Sequence, residues 1–251
     1  MLHREVFQVS ATIWCVRQPS YLTCSYGIRT EAGVVLIDAG MDSSGSDVQA
    51  LLAAMGESME SVRSIMITHW HNDHSAGASA TKKQTGCPVY FSRDEEPWLS
   101  RETATGGVRG WISKRIPEWG LGVLAIGLLG EAVPEAVDAT DYLVDGQQID
   151  EDFIVVSTPG HTAGHLSFFY RPERTLFAGD ALASIDGNVR FMARPVTLDV
   201  PKARQSMEKC LALDIGTLCP GHRAPLTQGV EQACDRMRDY LASGGRWPFW
   251  G

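Results

Sequence analysis

Four side chains able to hold a metal ion fall within six residues in Thr68-His69-Trp70-His71-Asn72-Asp73-His74, directly after the apolar run Ser64-Ile65-Met66-Ile67. Imidazole nitrogens and carboxylate oxygens are the donors that borderline divalent cations take up. Alternation along an extended backbone sends His69 and His71 to the same side. Asp73 and His74 then come from the turn, or from the first residues of a following helix, and approach the same cavity from another direction. Two neighbouring metal sites can be built from such a cluster.

The chain has seven histidines: His3, His69, His71, His74, His161, His165 and His222. His161 closes Ser157-Thr158-Pro159-Gly160-His161 after the apolar run Phe153-Ile154-Val155-Val156. Asp180 follows Ala178-Gly179 after Thr175-Leu176-Phe177, and His222 follows Cys219-Pro220-Gly221 after Ile215-Gly216-Thr217-Leu218. Each candidate ligand therefore stands just past an expected strand, with a nearby glycine that lets the backbone turn sharply. One edge of a sheet scaffold would collect them.

The pattern His69-x-His71-x-Asp73-His74, His161, Asp180, His222 resembles the metallo-β-lactamase superfamily, in its glyoxalase II-like or lactonase-like branch, and spans most of the chain. The resemblance implies that His69, His71 and His161 hold one metal, that Asp73, His74 and His222 hold the second, and that Asp180 bridges them. It also implies an α/β four-layer αββα sandwich with a helical insertion over the active site. Asp38, in Val34-Val35-Leu36-Ile37-Asp38-Ala39-Gly40, matches the family's early aspartate, which supports the metal loop from behind; capping a strand end is the other reading of this residue. His165 reads as a hydrogen-bonding support or strand residue, because the coordination positions are already filled.

The chemistry of such a set is hydrolytic. Two Zn2+ ions about 3.5–4 Å apart can share a water and lower its pKa toward ~7, giving a bridging hydroxide at neutral pH. One cation polarises an acyl carbonyl and the other takes up charge on the leaving group. Two zinc ions per chain are expected, with Fe or Mn as substitutes, and Asp73 is the residue whose loss should stop turnover.

Departures from the family's patterns rank the substrates. True metallo-β-lactamases usually lack an aspartate at the place of Asp180 and are exported, which leaves β-lactam cleavage as a promiscuous side activity. Lactonase-like members carry a tyrosine shortly after the bridging aspartate, whereas this chain reads Asp180-Ala181-Leu182-Ala183. Glyoxalase II-like thioesterases bind glutathione through basic groups in a C-terminal helical region, which here is short with scattered arginines. A small ester, thioester or lactone remains, with a mononuclear-iron enzyme resembling persulfide dioxygenases as the redox alternative.

At 251 residues, 44% of them hydrophobic, the chain can bury a large core, and the resemblance favours a single domain over residues 1–251. A formal charge of −8 disfavours nucleic acid and anionic membranes as partners. A small molecule is the expected partner, with a homodimer as a further expectation. Six cysteines without a CxxC pair, and no basic-then-apolar leader at Met1-Leu2-His3-Arg4-Glu5, read as reduced thiols in a cytoplasmic protein.

The elements that must position these residues follow from apolar periodicity. Strands are expected at Val6 to Val16, Ser20 to Arg29 and Val34 to Asp38, a helix at Asp47 to Met55, a strand at Ser61 to Ile67, a helix from about Ser75 to Thr85 and a strand at Pro88 to Phe91. The rhythm breaks over residues 92–145, which carry Trp98, Trp111 and Trp119 and a nine-residue apolar run from Leu121 to Leu129. That run is far shorter than the ~20 residues that span a bilayer. The segment reads as a lid over the cleft or as a further piece of core or a dimer contact. Strands at Asp152 to Ser157, His165 to Tyr170, Arg174 to Ala178 and Gly216 to Cys219, and helices at Val200 to Leu211 and Gly229 to Ser243, form the second half. Ser184, Asp186, Asn188 and Arg190 read as loop residues. The aromatic end Trp247-Pro248-Phe249-Trp250 is expected to dock on its own domain or on a neighbouring subunit, or else to fray.

Overall fold

The computed structural model describes residues 4–19, 21–100 and 135–249. The chain divides into two compact units, Met1–Tyr142 and Leu143–Gly251, each with its own apolar core.

The first unit is built on a seven-stranded sheet in sequence order. Strands β1 (Glu5–Gln8), β2 (Ile13–Arg17), β3 (Cys24–Thr30) and β4 (Gly33–Ile37) form an antiparallel meander. Strands β5 (Val62–Met66), β6 (Val89–Phe91) and β7 (Asp141–Tyr142) then add in parallel. Parallel pairing needs crossovers, and these contain helix α1 (Ser46–Met55), the short helix α2 (Asn72–Ser75), α3 (Ala78–Thr85) and α4 (Glu96–Leu99). Helix α1 buries Val48, Leu51, Leu52 and Met55, one stripe at helical spacing. It stops at Gly56, whose left-handed backbone lets its own N–H reach back to the Ala53 carbonyl and that of Glu57 to Leu52.

The stretch expected as one strand from Val6 to Val16 is instead the β1–β2 hairpin, with Val6 paired to Val16. Ser10 makes the turn: its hydroxyl accepts from the Thr12 and Ile13 amides, while the Val9 amide donates to the Ile13 carbonyl. Similarly β3 begins only at Cys24, because Tyr21 and Leu22 both have positive φ. The helix expected from Ser75 to Thr85 is two helices, α2 and α3, broken around Gly77. A side chain at Gly77 would lie 2.3 Å from the Ala39 carbonyl oxygen, so the α2–α3 joint rests directly on the backbone after β4.

The second unit holds a five-stranded sheet in the order β14-β11-β10-β9-β8 and a two-stranded sheet β12-β13. Its strands are β8 (Gln148–Ile149), β9 (Phe153–Ser157), β10 (Leu166–Tyr170), β11 (Thr175–Gly179), β12 (Ala183–Ile185), β13 (Asn188–Arg190) and β14 (Thr217–Pro220). Strands β8 to β11 are antiparallel neighbours, and β14 joins β11 in parallel. Helix α5 (Val200–Leu211) starts at Asp199, whose side chain accepts from the Lys202 amide, with proline in the first turn. It buries Ala203, Met207, Cys210 and Leu211. Helix α6 (Val230–Ala242) buries Val230, Ala233, Cys234, Met237 and Leu241 at the same periodicity. The β12–β13 hairpin lies where a loop was expected. Its tip, Asp186-Gly187, has φ of 50° and 70°, the pairing of positive φ values that a two-residue hairpin turn needs.

The lid or dimer reading of residues 92–145 falls largely on residues 101–134, outside the described residues. Its described residues up to Tyr142 belong to the first unit, where the Val137 amide donates to the Leu99 carbonyl and β7 pairs with β6, and residues 143–145 belong to the second. Among the described residues no helix is long and apolar enough to cross a membrane.

Candidate metal centre

In the first unit the histidine cluster leaves the C-terminal end of β5. Thr68 is the first residue that fixes it. Its amide donates to Asp38 Oδ1 at 2.8 Å, and its hydroxyl lies 2.9 Å from Asp38 Oδ2. Because that hydroxyl donates to the carboxylate, it accepts from His69 Nδ1 at 3.0 Å. His69 thereby carries its proton on Nδ1, and Nε2 keeps a lone pair. That Nε2 lies 3.0 Å from His71 Nδ1.

Asp38 organises the next residues as well. It stands one residue past β4 with φ 61°, a left-handed backbone that aspartate tolerates better than most residues. Its Oδ2 accepts from His74 Nδ1 at 2.8 Å, so the His74 proton sits on Nδ1 and Nε2 is left as a donor atom. His74 and Asp38 are both buried. Both Asp73 and His74 lie in α2, the second of the two positions expected for them. Asp73 Oδ2 is 3.6 Å from His74 Nε2 and accepts from the Thr23 hydroxyl at 2.9 Å. The loop itself is pinned by Glu95, a buried carboxylate that accepts from the Trp70 amide, and by the Ser75 hydroxyl on the Trp70 and His71 carbonyls.

In the second unit His161 follows β9, Asp180 follows β11 and His222 follows β14. Asp180 Oδ2 lies 3.3 Å from His161 Nε2 and 3.2 Å from His222 Nε2. One buried carboxylate oxygen thus faces two imidazoles. His165 serves as a support: its Nε2 accepts from the Asp180 amide at 2.9 Å, which places its proton on Nδ1, 2.8 Å from the Thr158 hydroxyl. Thr158 passes the chain to Ser167 at 3.0 Å, and Ser167 donates to the Ala178 carbonyl. This buried relay has one consistent direction, and it holds the backbone of Asp180 to the turn that carries His161.

All seven residues singled out as ligands belong to groups of His and Asp side chains whose donor atoms suit a metal ion. Spacing supports the fit. Neighbouring donors in a tetrahedral site with bonds of about 2.0–2.1 Å stand roughly 3.3 Å apart, against 3.0, 3.2, 3.3 and 3.6 Å here within each unit. Direct charged hydrogen bonds are usually shorter, about 2.7–2.9 Å. The residues that reading the sequence missed are the supports Thr23, Thr68, Glu95 and Thr158. Thr68 and Thr158 do stand just past strand ends, one and seven residues before the histidines they serve, which is the only local signal among the four.

Metal-compatible donor sets gathered at strand ends and in α2, on a mixed α/β scaffold, define a candidate metal centre. The family profile described as the metallo-beta-lactamase superfamily matches residues 23–222. The chain belongs to the metallo-β-lactamase superfamily and is a metal-dependent hydrolase. It is 29% identical over 210 residues to the probable metallo-hydrolase YflN of Bacillus subtilis, covering 77% of this chain and 76% of that one. It is 26% identical over 176 residues to the hydroxyacylglutathione hydrolase of Cereibacter sphaeroides, covering 68% of this chain and 52% of that enzyme. The chain thus spans about half of that relative's length. The solved BLEG-1 B3 metallo-beta-lactamase superposes with a TM-score of 0.65 at 21% identity, over 88% of this chain and 97% of that one, which shows the fold alone.

Proposed function

We propose that the chain is a dinuclear-zinc hydrolase of a small acyl substrate, with a thioester as the first candidate and an ester or lactone next. The observation that carries this reading is Asp180 Oδ2, placed within 3.3 Å of the Nε2 atoms of both His161 and His222, as a carboxylate shared by two cations requires. The superfamily pattern supports assigning His69, His71 and His161 to one cation and Asp73, His74 and His222 to the other. The hydroxyacylglutathione hydrolase relative supports the thioester.

Bound divalent cations would supply Lewis acidity toward an acyl carbonyl and lower the pKa of a coordinated water toward ~7. The protein's own part is to preset the ligands. Asp38 and Thr68 hold the proton of His74 and His69 on Nδ1, so that each Nε2 is available without a tautomer change. Ligand orientation by such partners typically contributes 10–100-fold in metal affinity. Thr23 orients the Asp73 carboxylate, and His165 anchors the backbone of Asp180. Neither a serine nor a cysteine nucleophile is required. The six cysteines are all buried and none forms a disulfide, which supports a reducing, cytoplasmic location.

The test is elemental analysis of the purified protein, followed by rates on thioesters, lactones and a chromogenic β-lactam with the same sample. Close to two zinc ions per chain and turnover of one acyl class are expected. About one iron per chain, with oxygen consumption on a persulfide and no acyl hydrolysis, overturns the reading.

A further inference from the structure

The second unit contains a cleft of about 590 Å³ that takes no part in the donor sets above. Its lining includes Arg194, Arg204 and Arg246 together with Val200, Pro201 and Trp247. Three guanidiniums around one cavity are unexpected in a chain of net charge −8, since like charges gathered in one place repel. Arg204 is held in place: it donates to the Gly245 and Leu241 carbonyls, each at 2.7 Å, and its Nε is 3.4 Å from the half-exposed Glu208. Asp199, the neighbouring acid at the start of α5, is already engaged by Lys202. Among the described residues the exposed guanidiniums of Arg194 and Arg246 have no carboxylate partner.

The walls of this cleft are fixed by contacts other than the arginines' own charges. Trp247 donates its indole N–H to the Met192 carbonyl at 2.9 Å, and its ring packs 4.4 Å from Phe191. The Tyr240 hydroxyl donates to the Arg246 carbonyl at 2.8 Å, and the Arg194 amide to that of Phe249 at 3.1 Å. Gly245 passes so close to Tyr240 that a Cβ there would lie 2.3 Å from its ring. The backbones bearing Arg194 and Arg246 are therefore anchored by hydrogen bonds, and Val200, Pro201 and Trp247 give the same cleft an apolar lining.

We infer that this cleft is a second ligand site, selective for a small organic phosphate: a dianion paired with Arg194 and Arg246, whose apolar body rests on Trp247, Pro201 and Val200. The planar guanidinium fork matches phosphate oxygens in pairs, and the volume lies within the roughly 300–1,000 Å³ of small-molecule sites. The inference is independent of the metal chemistry.

The experiment titrates the metal-loaded, full-length protein with inorganic phosphate and with phenyl phosphate, by calorimetry and tryptophan fluorescence. Saturable binding is expected, tighter for phenyl phosphate and weaker as KCl is raised, since the contacts are exposed to salt. Arg194→Gln and Arg246→Gln should each weaken it about tenfold, the size of one charge-assisted contact. Trp247→Phe should remove the fluorescence response while calorimetric binding persists. Melting temperature serves as the folding control, because both arginines are exposed. Absence of saturable binding overturns the inference. So does binding that is unchanged in the Arg194→Gln/Arg246→Gln double variant, which would place the phosphate on the metal donors instead.

Discussion

Asp38 does three things with one carboxylate: it accepts from the Thr68 amide, the Thr68 hydroxyl and His74 Nδ1. Asp38→Ala leaves buried donors unsatisfied and puts alanine at φ 61°, so a loss of roughly 2–4 kcal/mol in urea unfolding is expected. Asp38→Asn keeps the backbone tolerance but presents an amide where two acceptors stood. It should lose less stability, yet bind zinc about 10–100-fold more weakly in a chelator competition. Asp73 is different: it is half-buried in α2, where its carboxylate accepts from the Thr23 hydroxyl and stands 3.6 Å from His74 Nε2. Asp73→Ala should therefore abolish turnover on the responsive substrate while melting within a few degrees of the parent. An active, metal-replete Asp73→Ala protein would sink the proposed mechanism. His69, His71, Asp73, His74, His161, Asp180 and His222 were legible as candidate donors from residue type, from their place after apolar runs and from the family resemblance, and each falls in a group of donor atoms that could hold a metal ion. Thr23 was not, because 50 residues separate it from the aspartate it touches.

Among the elements, α5 packs directly on the turn that carries His161. Gly160 immediately precedes His161 with φ 139°, and a Cβ there would lie 2.3 Å from the Ala203 amide nitrogen. Gly160→Ala must move α5 or the His161 turn. A loss of at least ~2 kcal/mol together with weaker zinc binding is expected, read by calorimetry and metal analysis. Asp145 ties the same helix to β9: it accepts from Lys209 Nζ at 2.5 Å and from the Ser157 amide at 2.8 Å. Partial burial alone would raise its pKa, but those two donors outweigh burial and hold the carboxyl below the usual carboxylate range. A depressed pKa in the folded state stabilises above the unfolded value of about 3.9 and is lost as pH falls through the folded one. Asp145→Asn should thus unfold at lower urea than the parent at pH 7, with the gap closing by about pH 2–3. Strand and helix identities were mostly readable from periodicity. The β1–β2 turn and the β12–β13 hairpin were not, since both depend on one or two residues adopting turn geometry inside otherwise strand-like runs.

At the scale of the molecule, every cysteine is buried and none forms a disulfide. Burial pushes the Cys210 thiol up to about 12 and raises those of Cys87 and Cys234. Because the thiolate is the reacting form, a chromogenic disulfide should label almost none of the native protein at pH 8. Six thiols should react after denaturation, and rapid labelling of the native state would contradict this burial. The aromatic end docks on its own unit through Trp247, one of the arrangements open at the outset. The histidine and aspartate pattern, and most of the strands that deliver it, were determined by the sequence alone, because a donor's identity is side-chain chemistry and the candidate donors stand at or shortly after the ends of apolar runs. Only the tertiary structure decided which tautomer each histidine holds, which threonine or glutamate supports it, and that three arginines from separate segments line one cleft. Those outcomes depend on atoms far apart in the chain coming within about 3 Å of each other, and no local pattern of residues encodes such a distance.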